Sequence, residues 1–506
     1  MIPVLSEDNA RKLDKKTASS GHLSEPELME NAGRKVAEYF IEKVSHPFKQ
    51  KVVIVCGKGN NGGDGIVAHY YLQQFGVDST LLLISKSQLE SDLFSCYAIE
   101  SETIKYFDDL TNNEKYDCAI DSVFGIGLKR EITGKYRDVI QFINLHSKII
   151  AVDIASGLYC DTGKIGGVSV NADVTITMGY PKLGQFLNDG ITCSGKVEIV
   201  DIGFKDIDDE DLTAFQIDEN DIANKLKSYP PSSHKYSRGR VGILSGSIGM
   251  TGAGILVNQS AGRSGCGIIR TAVPMSLNTI FETSLVNSIT NPIDDKSRGY
   301  LNFDNYTKVK ELADWAEILI VGPGLSTEID SQKLISRVLI ETKKPTVLDA
   351  SGFEPLVSGL LKISDLPKQT ILTPHIGEYS RIFGFDALQV KDNPAEACKL
   401  IIEKLDGRTL LLKGNPTIIV SSSGKLYFVN NGTPILATAG TGDVLTGIIG
   451  GLLAQQYSAD DSAIIGAFVH AEAGRMFEQE ISQIGLVASD LVELIPEAFQ
   501  RILDAS

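Results

Sequence analysis

The chain has 506 residues, 42% of them hydrophobic and 22% charged, which is the composition of a globular protein and excludes a disordered or fibrous one. With 48 lysines and arginines against 64 aspartates and glutamates, the formal charge is −16. That balance argues against nonspecific binding to nucleic acid or anionic lipid, but not against small anions held by backbone amides.

Short β-branched runs separated by longer amphipathic stretches predict an α/β protein. In the first half, strands are predicted at 51–56, 79–84, 117–123, 148–153, 173–178 and 196–202, with helices such as 66–75 between them. Several of these runs are apolar throughout, as in a sheet covered on both faces. An acidic stretch from Asp206 to Asp221, followed by Pro230-Pro231 and two serines, marks a junction between domains 1–215 and 216–506. A second series then follows: strands at 240–244, 267–273, 318–321, 346–349, 371–373, 409–412 and 417–420, and a long helix from about Gly442. Seven dispersed cysteines without a CxxC pair, an early-charged N-terminus and no apolar run of membrane-spanning length predict a reduced, cytoplasmic protein.

The 48 glycines cluster where strands end. After the run KVVIVC, five glycines fall among nine residues at 57–65, ahead of a helical pattern. Such a segment either cradles a pyrophosphate on exposed amides or makes a tight turn. Asp121 with Gly125 and Gly127, and Asp153 with Ser156-Gly157, also stand at strand ends, as ligand contacts or as helix caps.

Four segments in order, GNNGGDG at 59–65, DSVFGIGLKREITG at 121–134, VDIASGLYCDTG at 152–163 and ADVTITMGYPKLGQ at 172–185, resemble the YjeF N-terminal family of NAD(P)HX epimerases. The resemblance implies a Rossmann-like three-layer domain that interconverts the R and S forms of hydrated NADH or NADPH. It implies that Asn60, Asn61, Gly62, Gly63 and Asp64, together with Gly125, Ile126, Gly127, Leu128, Lys129, Arg130 and Glu131, hold the substrate. Asn61, Asp121 and Ser156 would give oxygens to a potassium ion, which suits a hard cation. Asp153 would contact the hydrated nicotinamide and serve as acid/base. Ala155 stands where the family usually has proline.

In the second half, Gly440-Thr-Gly442-Asp443 opens the long helix. There the amides suit a transferring phosphoryl group and the aspartate a proton from the attacking hydroxyl, or the aspartate is an ordinary first-turn residue. Lys413-Gly414-Asn415-Pro416-Thr417, Thr373-Pro374-His375 and Gly322-Pro323-Gly324 each end a strand. With GILSGSIGMTGAG at 242–254, SAIIGAFVHAEAG at 462–474 and GLVASDLVELIPEA at 485–498, this half resembles the YjeF C-terminal family of NAD(P)H-hydrate dehydratases, on a ribokinase-like α/β fold. The resemblance implies that Ala253, Gly324, His375 and Asp443 contact the substrate, that Lys413, Gly414, Asn415, Pro416, Thr417 and Gly442 bind ADP with Mg2+, and that Asp443 is the catalytic base. Ser351 departs from the family, which often carries a second acidic residue there. A homo-oligomer acting on NADHX or NADPHX is expected, without nucleic-acid or membrane partners. The alternative is a kinase for a small alcohol or vitamin precursor joined to a non-catalytic nucleotide-binding module.

Overall fold

The run KVVIVC forms strand β2, Lys51–Cys56, and its alternate side chains divide between two cores. Val52, Ile54 and Cys56 pack with Leu28, Val36 and Phe40 of helix Glu25–Lys43. Val53 and Val55 pack with Val139, Ile140 and Ile143 of helix Lys135–Ile143. A strand apolar on both faces is thereby the middle of three layers. In this computed structural model, residues 1–90, 93–110, 114–209 and 211–505 are described. Glu210 of the acidic stretch lies outside them.

The smaller of two compact units is Pro3–Leu212; the larger is Thr213–Ser506 with Met1–Ile2. In the smaller, β2 is joined by β3 (Asp78–Leu83), β4 (Ile104–Tyr106), β5 (Cys118–Ser122), β6 (Ile149–Val152), β7 (Val174–Met178) and β8 (Lys196–Val200) in the order β4-β3-β2-β5-β6-β7-β8, all parallel. The chain winds outward from β2 and returns to its other side at β5. The crevice beyond the carboxyl ends of β2 and β5 is the place where such sheets bind ligands.

The larger unit repeats this logic. Its strands are β1 (Ile2–Pro3), β9 (Ala214–Gln216), β10 (Arg240–Leu244), β11 (Ile268–Pro274), β12 (Ile289–Ile293), β13 (Ile318–Val321), β14 (Thr346–Leu348), β15 (Thr370–Leu372), β16 (Thr409–Leu412), β17 (Thr417–Val420) and β18 (Leu426–Val429). They run in the order β1-β9-β18-β17-β16-β15-β14-β13-β10-β11-β12, with the switch point between β10 and β13. Strands β16, β17 and β18 form an antiparallel meander on an otherwise largely parallel sheet. Helices Thr251–Arg263, Thr441–Ala454, Ala459–Glu480 and Ala488–Asp504 build the main core on one face, with Val241 and Ile243. Gly242 faces the other way, against Leu312 of helix Tyr306–Trp315.

Three expectations need correction. The boundary expected at 215/216 cuts β9, which belongs to the larger unit. Strands β1, β4, β9, β12 and β18 go unforeseen; β12 carries Pro292 and lies at a sheet edge, where proline is tolerated. The helix expected to begin at 66 begins at Asn60, so Gly62, Gly63 and Gly65 lie inside it rather than in a loop.

Candidate functional site

In the smaller unit, a cavity of about 790 Å3 opens at the switch point. Its walls include Lys58, Asn60, Asn61 and Asp64 after β2, Gly125–Leu128 after β5, Asp153 after β6, Lys182 after β7, and Arg11 and Asp14 from helix Glu7–Ser19. That helix is started by Ser6, whose hydroxyl accepts from Asn9 N at 3.2 Å.

Glycine at 62 lets helix Asn60–Gln74 begin directly against the strand end: a Cβ there would stand 2.0 Å from Gly57 O. Asn61 is buried and its amide oxygen and nitrogen have no partner among the described residues. Such a group is unusual unless a ligand satisfies it. Asp121 is fully buried beneath this loop and accepts from Ser156 N at 2.8 Å, Ser156 Oγ at 2.7 Å and Val123 N at 3.2 Å. Burial pushes its carboxyl up to about 6 despite the Ser156 hydrogen bonds.

Asp153 takes a left-handed backbone, φ +68°, a conformation that costs a non-glycine residue of order 1–3 kcal/mol and clusters at working sites. It is over-determined there. Lys182 Nζ pairs with its Oδ1, Met178 N donates to Oδ1 at 3.3 Å, and Gln185 Nε2 donates to its backbone oxygen at 2.8 Å. Lys182 also donates to Thr177 Oγ1 at 3.0 Å.

In the larger unit, Asp443 lies in the first turn of helix Thr441–Ala454. Burial, then the nearby Asp349 anion, push its carboxyl up to about 6 against the opposing pull of Lys413. Lys413, at the end of β16, donates to Asp349 Oδ1 at 2.8 Å, and Thr446 Oγ1 donates to Asp349 Oδ2 at 2.7 Å. Burial works to lower the Lys413 pKa, but the carboxylates of Asp349, Glu378 and Asp443 outweigh it and raise it. At Gly322 a Cβ would meet Asp349 O at 1.8 Å, so only glycine lets the β13 and β14 ends approach. Gly324 lies beside Ala253 and Met250. The buried His470 ring donates through Nε2 to Thr441 O at 2.9 Å, and burial lowers its pKa to about 4, so it is neutral.

A family profile described as NAD(P)H-hydrate dehydratase matches residues 241–497, and one described as YjeF-related protein N-terminus matches residues 25–184. The bifunctional NAD(P)H-hydrate repair enzyme of Thermofilum pendens is 31% identical over 501 residues, covering 97% of this chain and 95% of its own. That of Dictyoglomus turgidum is 31% identical over 515 residues, covering 99% of both. The chain belongs to the bifunctional NAD(P)H-hydrate repair enzyme family. A ribokinase-like superfamily protein from Enterococcus faecalis superposes with a TM-score of 0.50 at 20% identity, over 57% of this chain and 96% of that one, a likeness of fold.

Set beside that membership, the sites divide as follows. Asn60, Asn61, Asp64, Gly125, Ile126, Gly127, Leu128 and Asp153 line the cavity. Gly62 and Gly63 do not; they pack against Gly57 and Met29. Lys129, Arg130 and Glu131 are exposed and outside the cavity wall, with Lys129 Nζ turned to Glu7. At the loop that ends β5, Gly125 lies beside Asn61, and Phe124 N donates at 2.8 Å to Ser156 Oγ, which in turn donates to Asp121. His375 caps helix Ile376–Phe383: its Nδ1 accepts from Gly377 N at 3.0 Å and Glu378 N at 3.3 Å, and its Nε2 stands 3.5 Å from Glu378 Oε1. Gly442 lies beside Lys413, its built Cβ 3.5 Å from Nζ. Asn415-Pro416 is a cis peptide, and Thr417 Oγ1 donates to Gly414 O at 3.1 Å.

Four features lay outside the sequence reading as site residues: Asp14, Lys182, Asp349 and the segment Asn430–Thr433. In the last, both amide atoms of Asn430, Asn431 Oδ1 and Thr433 Oγ1 are buried without partners among the described residues, beside Asn415. Lys182 lies within the motif at 172–185 and Asp349 ends the strand expected at 346–349, so both stood in segments that the sequence marks. Asp14 and Asn430 had no signal. No described helix is long and apolar enough to cross a membrane, and the seven cysteines are free.

Proposed function

We propose that the chain interconverts the R and S epimers of hydrated NADH and NADPH in its smaller unit, and in its larger unit converts the S epimer to NADH or NADPH with ADP. Membership of the bifunctional repair family supports both halves. The observation that carries the reading is that each unit holds a carboxylate beside a lysine near the carboxyl ends of its strands: Asp153 paired with Lys182, and Asp443 near Asp349 and Lys413.

For dehydration, Asp443 accepts the proton of the substrate's 6-hydroxyl as that oxygen attacks the β-phosphorus of ADP. AMP departs, and the new phosphate ester is a far better leaving group than hydroxide. It leaves with loss of a ring proton, giving the reduced nicotinamide. The amides at Gly442 and Asp443 and the Lys413 ammonium face the charge that develops on the phosphoryl oxygens. Lys413–Thr417 and Gly442 hold the nucleotide, and Asn430 and Thr433 offer the unpaired polar atoms that a ribose or adenine satisfies. Ala253, Gly324 and His375 border the hydrated ring.

Mg2+ belongs with the ADP phosphates. Among the described residues no group of three His, Cys, Asp or Glu side chains is arranged to hold a metal, so phosphate oxygens and water would supply most of its shell. Potassium fits the smaller unit. The unpartnered Asn61 Oδ1, the Asp121 carboxylate and Ser156 Oγ are oxygen donors at one loop, and the ion would supply the positive charge that the buried Asp121 lacks. A homo-oligomer in the cytoplasm completes the proposal.

The test is incubation of purified (S)-NADHX with ADP. The reading expects NADH, AMP and phosphate in equal amounts; phosphorylation of a small alcohol without NADH formation overturns it in favour of the kinase alternative.

A further inference from the structure

Inverting one stereocentre asks for proton transfer on two sides of a ring. At C6 of the hydrated nicotinamide the departing oxygen leaves from one face and the incoming oxygen arrives at the other. The C6–O bond breaks as the oxygen takes a proton from a neutral carboxylic acid and departs as water, while the N1 lone pair forms the N1=C6 iminium. A water then bonds to C6 on the other face and gives its proton to a carboxylate. One proton is given and one taken, with no oxidant or reductant. The site therefore needs two carboxyl groups on different walls, one neutral and one ionised at the start.

Asp153 supplies the ionised group from the sheet edge, where the Lys182 ammonium is paired with it. We propose that Asp14, which lines the same cavity but is carried by helix Glu7–Ser19 rather than by the sheet edge, is the second proton-transfer group of the epimerase site. This rests on the epimerase reading above. Asp14 lines the cavity, retains surface open to it, and has no ion-pair partner among the described residues. The groups that act on it are known: Asp153 and Glu25 oppose its ionisation, Lys182 and Arg11 favour it, and Asp64 lies in the same field. Burial and then the Asp153 anion dominate, pushing the Asp14 carboxyl up to about 6. Two carboxyls in one site with opposite environments is the arrangement that separates an acid from a base.

Asp64, in the second turn of helix Asn60–Gln74, is the obvious rival. It is the less open of the two, and burial with the Asp153 and Asp14 carboxylates pushes it well above the usual range. A carboxyl near 6 both gives and takes a proton at neutral pH, and Asp14 is the one that presents the more open surface. That a ligand occupies this space has independent support: the buried Asn61 amide on the same cavity wall has both polar atoms unpaired.

The experiment uses the full chain without ADP, purified (R)-NADHX, and water enriched in oxygen-18, with the epimers separated and weighed by mass spectrometry. Wild type is expected to form labelled S epimer well above the uncatalysed rate. Asp14→Asn is expected to lose at least about 100-fold of that rate, the ordinary worth of general acid–base catalysis. Its dehydration of the S epimer with ADP should be unchanged. An Asp14→Asn rate within threefold of wild type, or S epimer without label, overturns the role of Asp14. If Asp14→Asn melts earlier than wild type, Asp14→Glu decides: recovery to within tenfold upholds the proposal and no recovery overturns it. Wild type without any epimerisation above background defeats the epimerase reading instead, so the two failures are distinguishable.

Discussion

Lys413 Nζ stands 2.8 Å from Asp349 Oδ1 at the carboxyl end of the larger sheet, and this buried pair sets the electrostatics of Asp443. Asp349 raises the Asp443 pKa and Lys413 lowers it; with burial the outcome is a carboxyl near 6. A base must be ionised to accept a proton, so dehydration of the S epimer should fall as pH drops through about 6. Asp443→Asn should remove the activity by at least about 100-fold at every pH while leaving epimerisation intact. Initial rates of NADH formation from pH 5 to 8 check both.

Replacing Lys413 by methionine withdraws the charge that favours Asp443 ionisation. The acid limb should then move above pH 6, and activity at pH 7 should fall. Leaving Asp349 without its cation should also destabilise the larger unit, by at most about 3–5 kcal/mol, the range for breaking a buried pair. A limb unmoved in Lys413→Met would show that the pair does not tune the base.

Potassium should raise the melting temperature of the smaller unit relative to an equal concentration of a bulky cation such as choline. Asp121→Asn should abolish the difference, since the carboxylate is the only full negative charge among Asn61, Asp121 and Ser156. Differential scanning calorimetry in the two salts measures it. An equal response in the variant would remove Asp121 from the ion site.

Gly62→Ala places a methyl 2.0 Å from Gly57 O, a backbone atom that cannot rotate away. Overpacking of this kind costs about 1–3 kcal/mol. The variant should lose epimerase activity and melt its smaller unit earlier, with S-epimer dehydration preserved. Denaturation followed alongside the two activities tests the separation.

Much of this architecture was legible because the central strands are buried on both faces: KVVIVC has no polar alternation, and only a strand between two cores tolerates that. The glycine clusters at 57–65 and 322–324 marked strand ends for a steric reason, since backbone must pass backbone there, while 440–442 opens helix Thr441–Ala454. The start of helix Asn60–Gln74 was misplaced because glycine has poor helix propensity, while in the fold its lack of a Cβ permits the contact with Gly57. Short strands such as Ile104–Tyr106 and Ala214–Gln216 carry three residues each, too few to show a period. Lys129, Arg130 and Glu131 were implied as substrate contacts by the resemblance alone, yet they are exposed and lie outside the cavity wall. Asp14 lies 139 positions from Asp153 (153 − 14), and only the fold brings a helix from the chain's start against the sheet edge.

The measurement that tests the account most directly is the NADH yield from an equal mixture of R and S epimers with excess ADP, compared between wild type and Asp153→Asn. Wild type should convert the whole mixture at enzymatic rate. Asp153→Asn should convert the S half as fast as wild type and then slow to the uncatalysed epimerisation rate. Equal loss of both halves, or full conversion by the variant at the wild-type rate, would contradict two separate activities in one chain.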